Sequence, residues 1–326
     1  MRVLITGITG LIGSHLADYL LTLDNVEVIG FKRWRADDRT IRHVRDKIRV
    51  LEGDVEDAFS VATAIEQTQP DRIYHLAAQS YPSESWAAPV TTLQANVLGT
   101  VNVLEAVRRL CPAAQVHIAG SAASYGLIRP DDVPIIEDRP LRPLSPYGVS
   151  KAAQEMLGYQ YAHNYDLRVY LTRSFIHIGP RQDSRTSAQT FARQVAEAEA
   201  GLRPPVIEVG NLEPRRDYLD AEDAVRGLWL LLEHGKSGEV YNLCSGVAPQ
   251  VRELLDMYLD LARIPLEVRV DPARLRPADE PILLGDNRKL RADTGWQPQV
   301  PLAESLRRIL DYWRARTEAA PTPAAT

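Results

Sequence analysis

The stretch Met1-Arg-Val-Leu-Ile-Thr-Gly-Ile-Thr-Gly-Leu-Ile-Gly-Ser-His-Leu-Ala-Asp-Tyr-Leu20 decides the fold. Val3 to Ile5 form a short apolar run, the mark of a buried strand. Gly7, Gly10 and Gly13 follow at GxxGxxG spacing, and Leu11, Leu16 and Leu20 then recur at helical intervals. Strand, glycine turn and helix in that order are the context of a phosphate-binding turn. Glycines let the backbone approach a diphosphate, and the helix N-terminus aims unpaired N–H groups at it. Gly7, Thr9, Gly10, Leu11, Ile12 and Gly13 are thus the candidate contacts to a dinucleotide.

Outward from this turn, strands and helices alternate. Strands are predicted at 26–31, 48–51, 72–77, 115–119 and 167–173, and helices at 61–67, 93–110 and 146–163. The alternation implies an α/β fold, a Rossmann-type doubly wound parallel sheet with ligands at the carboxyl ends of its strands. After Arg173 the pattern loosens. A helix at 187–201, a strand at 206–209, a helix at 221–233, a strand at 239–243 and helices at 251–261 and 302–313 follow. Residues 1–172 with roughly 216–246 are expected to form the nucleotide-binding domain. Roughly 173–215 and 247–316 are expected to form a smaller, mostly C-terminal α/β substrate-binding domain, with 317–326 as a flexible tail.

The chain has 326 residues, 45% of them hydrophobic and 25% charged, which is ordinary for a soluble globular protein. A net charge of −5 argues against nucleic acid or an anionic membrane as a bulk partner, so any anion site must be a local cluster of arginines. Cys111 and Cys244 fit no metal-ligand spacing, and no metal site is expected. Few cysteines, no leader-like segment and no apolar run near the ~20 residues that span a bilayer point to a cytoplasmic protein.

The cofactor can be read further. Folds that prefer NAD place an acid after the second strand, for the ribose 2′-hydroxyl. Here the chain reads Phe31-Lys32-Arg33-Trp34-Arg35, and cations there suit a 2′-phosphate, so NADP(H) is favoured and NAD(H) remains possible. Asp54 and Val55, beyond the third strand, are placed to meet the adenine. Leu76, Ala77 and Ala78, beyond the fourth, are small enough to pass the diphosphate closely. Asn96, in the following helix, is placed to tie strand ends together.

Ser145-Pro-Tyr-Gly-Val-Ser-Lys151 opens a helix, with Ser145 as N-cap and Pro146 at the first position. Tyr147 and Lys151 are then four apart on one face. A free tyrosine titrates near ~10. A neighbouring ammonium and the positive helix end both favour phenolate and are expected to lower that value, giving a tunable proton donor.

TGITGLIG, HLAA and YGVSK together resemble the extended short-chain dehydrogenase/reductase family, over essentially the whole chain. The resemblance implies a third catalytic residue after the fifth strand, and alignment on Tyr125-Gly126 makes it Ser121. Ser121 would hydrogen-bond the substrate oxygen beside Tyr147, and Lys151 would also hold the nicotinamide ribose. His177 matches a cofactor-contacting histidine. Relatives dimerise through helices matching 93–110 and 146–163, which implies a homodimer or a dimer of dimers.

Several segments are similar to those of enzymes acting on GDP-mannose derivatives. They are Leu76-Ala-Ala-Gln79-Ser80, Gly210-Asn211-Leu-Glu-Pro-Arg-Arg216-Asp217, and Arg276-Pro-Ala-Asp279-Glu280 followed by Leu284-Gly-Asp286. The resemblance implies that Gln79, Ser80, Ser121, Asn211 and Asp279 contact a GDP-linked sugar, and that Arg216 and Arg276 grip its diphosphate and ribose, as bidentate guanidinium groups suit. Two positions depart from the pattern. The 4,6-dehydratases carry an acid two residues before the Tyr-Gly pair, where this chain has Ala123 after Ala122. Ile176 stands where relatives usually have Asn touching substrate. The reading that follows is an NADPH-dependent reductase of a GDP-4-keto-6-deoxy-hexose, the alternative a nucleotide-sugar 4-epimerase. A GDP-mannose 4,6-dehydratase and a non-catalytic NADP-binding protein fit the residues less well.

Overall fold

The computed structural model describes residues 1–274 and 280–318. Among these, seven parallel strands form one sheet. The strands are β1 (Arg2–Thr6), β2 (Glu27–Lys32), β3 (Arg49–Glu52), β4 (Arg72–His75), β5 (Gln115–Ser121), β6 (Arg168–Ser174) and β11 (Val240–Leu243). Their order across the sheet is β11-β6-β5-β4-β1-β2-β3. Chain order reverses between β1 and β4, and that switch point opens the crevice where such sheets take ligands.

Strand side chains alternate between two cores. Val3, Ile5, Val28 and Tyr74 face one, packed with α1 (Leu11–Leu20) and α8 (Ala221–His234). Leu4, Ile29, Phe31, Ile73, Val116 and Ile118 face the other, under α2 (Ala58–Thr68) and α5 (Gly99–Leu110). Burial on both faces is why these strands read as continuous apolar runs.

A third core lies among α7 (Ser187–Glu199), α9 (Val251–Leu261) and α11 (Leu302–Glu318), against β8 (Val206–Val209), which pairs with β12 (Glu267–Val270). Two further parallel pairs link the segments beyond the main sheet. They are β7 (Ile176–Ile178) with β10 (Tyr218–Asp220), and β9 (Arg215–Arg216) with β13 (Ile282–Leu283).

The structure corrects several expectations. The helix expected at 93–110 begins earlier and is not α-helical throughout. After α3 (Pro82–Ala87), α4 (Pro89–Leu93) runs into a π-type turn over Gln94–Leu98 and then α5. β4 ends at His75, not 77, because Leu76 N and Ala77 N turn back to Thr6 O and Thr6 Oγ1 at 3.2 Å each. Thr317 and Glu318 close α11, and the remainder of the expected tail lies outside the described residues. Leu290 of α10 (Arg288–Thr294) and Trp296 join the first core, although the sequence reading placed them in the substrate domain. Trp296 Nε1 donates to Asp223 O at 2.9 Å, and Gln299 N and Val300 N donate to the Asp223 carboxylate. These bonds pull the chain back onto α8.

Four histidines are held neutral inside this frame. Burial pulls His15 and His177 down to about 4, and His75 and His117 down to about 3. A base with a depressed folded pKa keeps its stability above its unfolded value near ~6.5 and loses it as the pH falls below that value. Urea unfolding should therefore show stability falling between pH 6.5 and 5, before most carboxylates titrate. Each histidine adds a slope of up to about 1.4 kcal/mol per pH unit. His117→Gln should flatten that slope by one proton, and an unchanged slope would show that His117 is not one of these groups.

Candidate active site

The glycine turn meets β4 at the switch point. Gly7 has φ +71°, and a Cβ there would lie 2.8 Å from Ala77 N, so any side chain would push the two strand ends apart. Gly10 caps α1 with no side-chain bond, and no acid stands in the first helical turn. The first N–H groups of a helix have no partner within it, and those of Leu11, Ile12 and Gly13 at the N-terminus of α1 are of the kind that receive an anion. Thr9 O accepts from Thr40 Oγ1 at 3.0 Å, which fastens the loop after β2 to the turn. His177 Nε2 is buried with no hydrogen-bond partner among the described residues. A dinucleotide fits this cradle.

Beyond β2 the two candidate cations differ. Lys32 is 8% exposed and bound to Glu52, its register partner on β3, at 3.1 Å. Its ammonium is thus paired across the two strands. Arg33 is exposed at the strand end, and Arg35 stacks on Trp34 at 4.1 Å. Asp54 is half-buried and accepts from Glu56 N at 3.1 Å. Val55 turns its side chain into the core against the place where Gly99 has no Cβ.

Ser121 ends β5, and its Oγ accepts from Ala123 N at 3.2 Å. Opposite stands the N-terminus of α6 (Pro146–Tyr165), where Ser145 Oγ caps Gly148 N at 3.1 Å. Gly148 allows the approach, since a Cβ there would sit 2.6 Å from Ala123 O. Tyr147 is thereby brought to Ser121, whose hydrogen bond favours the phenolate. Burial nevertheless wins and holds the phenol above its ordinary value, against the expected lowering. Lys151 Nζ donates to Ala119 O at 2.9 Å and lies 5.8 Å from the Tyr147 ring centre. Burial pulls Lys151 down to about 7. A protonated phenol is a ready proton donor, and a phenolate left behind by donation would draw Lys151 back toward its charged form.

Asn96 sits on the π-type turn, a common device at functional sites. It receives Gln79 N at 2.7 Å and donates to Gln79 O at 3.1 Å and Ser150 Oγ at 2.8 Å, joining β4's exit to α6 rather than to a neighbouring strand end. Gln79 Nε2 also donates to Tyr81 O and Glu84, and Ser80 is exposed beside it. Leu76, Ala77 and Ala78 are half-buried at the same strand end.

In the other half, Asn211 Oδ1 accepts from Glu213 N at 3.1 Å, and Arg216 donates to Arg215 O and Glu280 O. Arg276 and Asp279 lie outside the described residues. Ile176 is half-buried on β7, paired with Tyr218.

Sequence reasoning passed over Asp217 as more than part of a motif. It is fully buried and accepts from Ser245 N, Ser245 Oγ, Gly246 N and Gly285 N at 2.6–3.2 Å. One carboxylate thus ties the 210–217 and 284–286 segments to the end of β11. The signal was present in the pairs Arg216-Asp217 and Gly285-Asp286, but only the fold brings them together.

The family model described as GDP-mannose 4,6 dehydratase matches residues 4–309. The chain is 35% identical to the GDP-6-deoxy-D-mannose reductase of Pseudomonas aeruginosa, over 97% of this chain and 98% of that one. The solved structure of RMD from Pseudomonas aeruginosa complexed with NADPH superposes with a TM-score of 0.86 at 32% identity, covering 97% and 99% of the two chains. The UDP-glucose 4-epimerase of Thermus thermophilus, in complex with NAD, superposes at 0.85 with 30% identity, covering 96% and 99%.

The contact between Gly148 and Ala123 O can be tested by adding one methyl group. Gly148→Ala must push the start of α6 from the Ser121 turn and should cost about 1–3 kcal/mol. Thermal unfolding checks this, with Asn164→Ala, exposed at the far end of the same helix, changing little. Equal stability of the two variants would show that the approach is not tight.

Proposed function

This chain belongs to the GDP-mannose 4,6-dehydratase family of extended short-chain dehydrogenases/reductases, and within that family we propose that it is an NADPH-dependent reductase of the 4-keto group of a GDP-4-keto-6-deoxy-hexose, giving GDP-rhamnose or a stereoisomer. One observation carries the reading: the turn facing Tyr147 keeps the Ser121 hydroxyl and puts alanines at 122 and 123. Loss of water from a hexose needs a group to take the C5 proton and one to assist the leaving oxygen, each worth on the order of 10²–10⁴ in rate. Alanine supplies neither. Reduction of a ketone asks only for a proton at the oxygen that receives negative charge.

NADPH, when bound, supplies the hydride. Gly7, Gly10 and Gly13 would hold its diphosphate with the N-terminus of α1, Arg33 its 2′-phosphate, and Leu76 to Ala78 and His177 the rest. Tyr147 gives its proton to the 4-keto oxygen. Ser121 donates a hydrogen bond to the same oxygen and stabilises the charge that develops there. Lys151 balances the phenolate that remains. Gln79, Ser80, Asn211, Arg216, Arg276 and Asp279 are the residues proposed to hold the nucleotide sugar.

Val149, Met156 and Tyr159 of α6, with Val90 and Leu98 near the start of α5, are large apolar side chains left exposed. They support pairing of two copies through these helices. Among the described residues no helix is long and apolar enough to cross a membrane, and a cytoplasmic place suits the reading.

Arg33→Ala should raise the apparent Kd for NADPH about tenfold or more and leave that for NADH nearly unchanged, as loss of a charge-assisted bond to the 2′-phosphate requires. Equal losses for both cofactors would remove that assignment. The reaction itself is tested by incubating the protein with GDP-4-keto-6-deoxy-D-mannose and NADPH, following absorbance and identifying the product by NMR. NADPH should be consumed, Tyr147→Phe should lower turnover by ~10² or more, and GDP-mannose with NADP should give no 4-keto-6-deoxy product. Sugar interconversion without net NADPH use would make the protein an epimerase instead.

A further inference from the structure

We propose that the buried Arg173–Glu155 pair is a positioning device that sets the helix of Tyr147 and Lys151 against the turn of Ser121. The proposal rests on those three residues being the catalytic set, as in the preceding subsection, and not on which sugar they act upon. Arg173 leaves β6 opposite Gly120, the residue before Ser121. Its guanidinium lies 4.7 Å over the ring of Tyr125, which closes the catalytic turn, and Tyr125 Oη is fixed from beyond by Asn242 Oδ1 at 2.7 Å. Arg173 Nε and Nη2 donate to the two oxygens of Glu155 at 2.8 and 2.6 Å, and Nη1 donates to Glu137 O at 2.7 Å. Glu155 stands four residues past Lys151 and eight past Tyr147 on α6, so the three occupy successive turns.

A helix held at one point can still slide or roll. The Gly148–Ala123 contact holds the start of α6, and the Arg173 fork holds it two turns further on. Together they define where Tyr147 faces Ser121. The energetics favour this role over simple stabilisation. The side chains of Arg173 and Glu155 are only 5% and 12% exposed. Desolvating two charges offsets most of their attraction, so apolar residues of similar volume would hold such a spot equally well. What they could not supply is a planar, bidentate, stacked contact that accepts one geometry.

The test is a spectroscopic readout at Tyr147 itself. In protein labelled with [13Cζ]tyrosine, Tyr147→Phe assigns the Tyr147 resonance, and Ser121→Ala marks its position without the Ser121 hydrogen bond. Glu155→Gln and Arg173→Lys should each move that resonance toward the Ser121→Ala position and leave Tyr258, in the third core, unmoved. With NADPH and GDP-4-keto-6-deoxy-D-mannose, the same variants should lower kcat by roughly tenfold or more, as misplacement of an ångström or less does, with KM within about twofold. Arg173→Lys keeps the buried charge and decides the matter if Glu155→Gln does not fold. A Tyr147 resonance that stays in place, even with a lower melting temperature, would overturn the proposal. If the unmodified protein does not reduce this ketone, the reductase reading falls, and the resonance still answers the question of position.

Discussion

The structure depends on one close approach, the backbone of Gly7 against Ala77 at the point where the sheet changes direction. With φ +71° and no room for a Cβ, the turn after β1 can lie directly on the exit of β4. Everything around the site is referred to that contact through buried hydrogen bonds. Thr6 Oγ1 joins Ala77 N and His75 Nδ1, His75 Nε2 joins Thr100 Oγ1, and Thr100 Oγ1 donates to Asn96 O. Gln154 of α6 donates to the same Thr100 hydroxyl, and Asn96 reaches Ser150 of α6 and the backbone of Gln79. A polar column therefore runs from the glycine turn to the helix that carries Tyr147 and Lys151. Buried polar groups are costly unless every partner is present, so such a column has few alternative arrangements.

The same dryness decides the charges. The sequence suggests that the N-terminus of α6 and Lys151 would lower the phenol pKa of Tyr147. The helix end is worth about 0.3–1 kcal/mol at an exposed position, whereas burial can move a group by several pKa units. Burial wins at both residues, holding Tyr147 up and drawing Lys151 down. The result is a neutral, proton-carrying phenol beside a lysine near its titration point, a resting state fit for giving a proton.

The elements whose signals are local were legible in the sequence. Strand, glycine turn and α1 follow from twenty consecutive residues, and the cap, proline and Tyr-Lys spacing of α6 from seven. What depends on distant partners was not. Lys32 reads as a free cation until β2 and β3 pair in register and set Glu52 against it. A helical apolar period survives one inserted residue, so the π-type turn at Gln94–Leu98 that orients Asn96 was hidden within an apparently regular helix. Two-residue strands such as β9 and β13 carry no periodicity, and the burial of Asp217 depends on three segments far apart in sequence. The Arg276–Asp279 segment lies outside the described residues.

Within one family, then, the hydride-handling parts can remain while the reaction changes. On the reading proposed above, reduction asks for a dinucleotide on the α1 cradle and a hydroxyl–phenol pair at a sugar oxygen, whereas dehydration also needs an acid–base group in the turn beyond the hydroxyl. In this chain that turn is small and tightly used: Ala122 is buried, Ala123 O faces Gly148, and Ala123 N bonds Ser121. The backbone of Ala123 thus helps to place α6, while its side chain ends at Cβ. Positioning and chemistry are carried by different atoms of the same residue. A change of side chain at 123 can therefore alter what the site eliminates without disturbing the backbone contact that brings Tyr147 to Ser121.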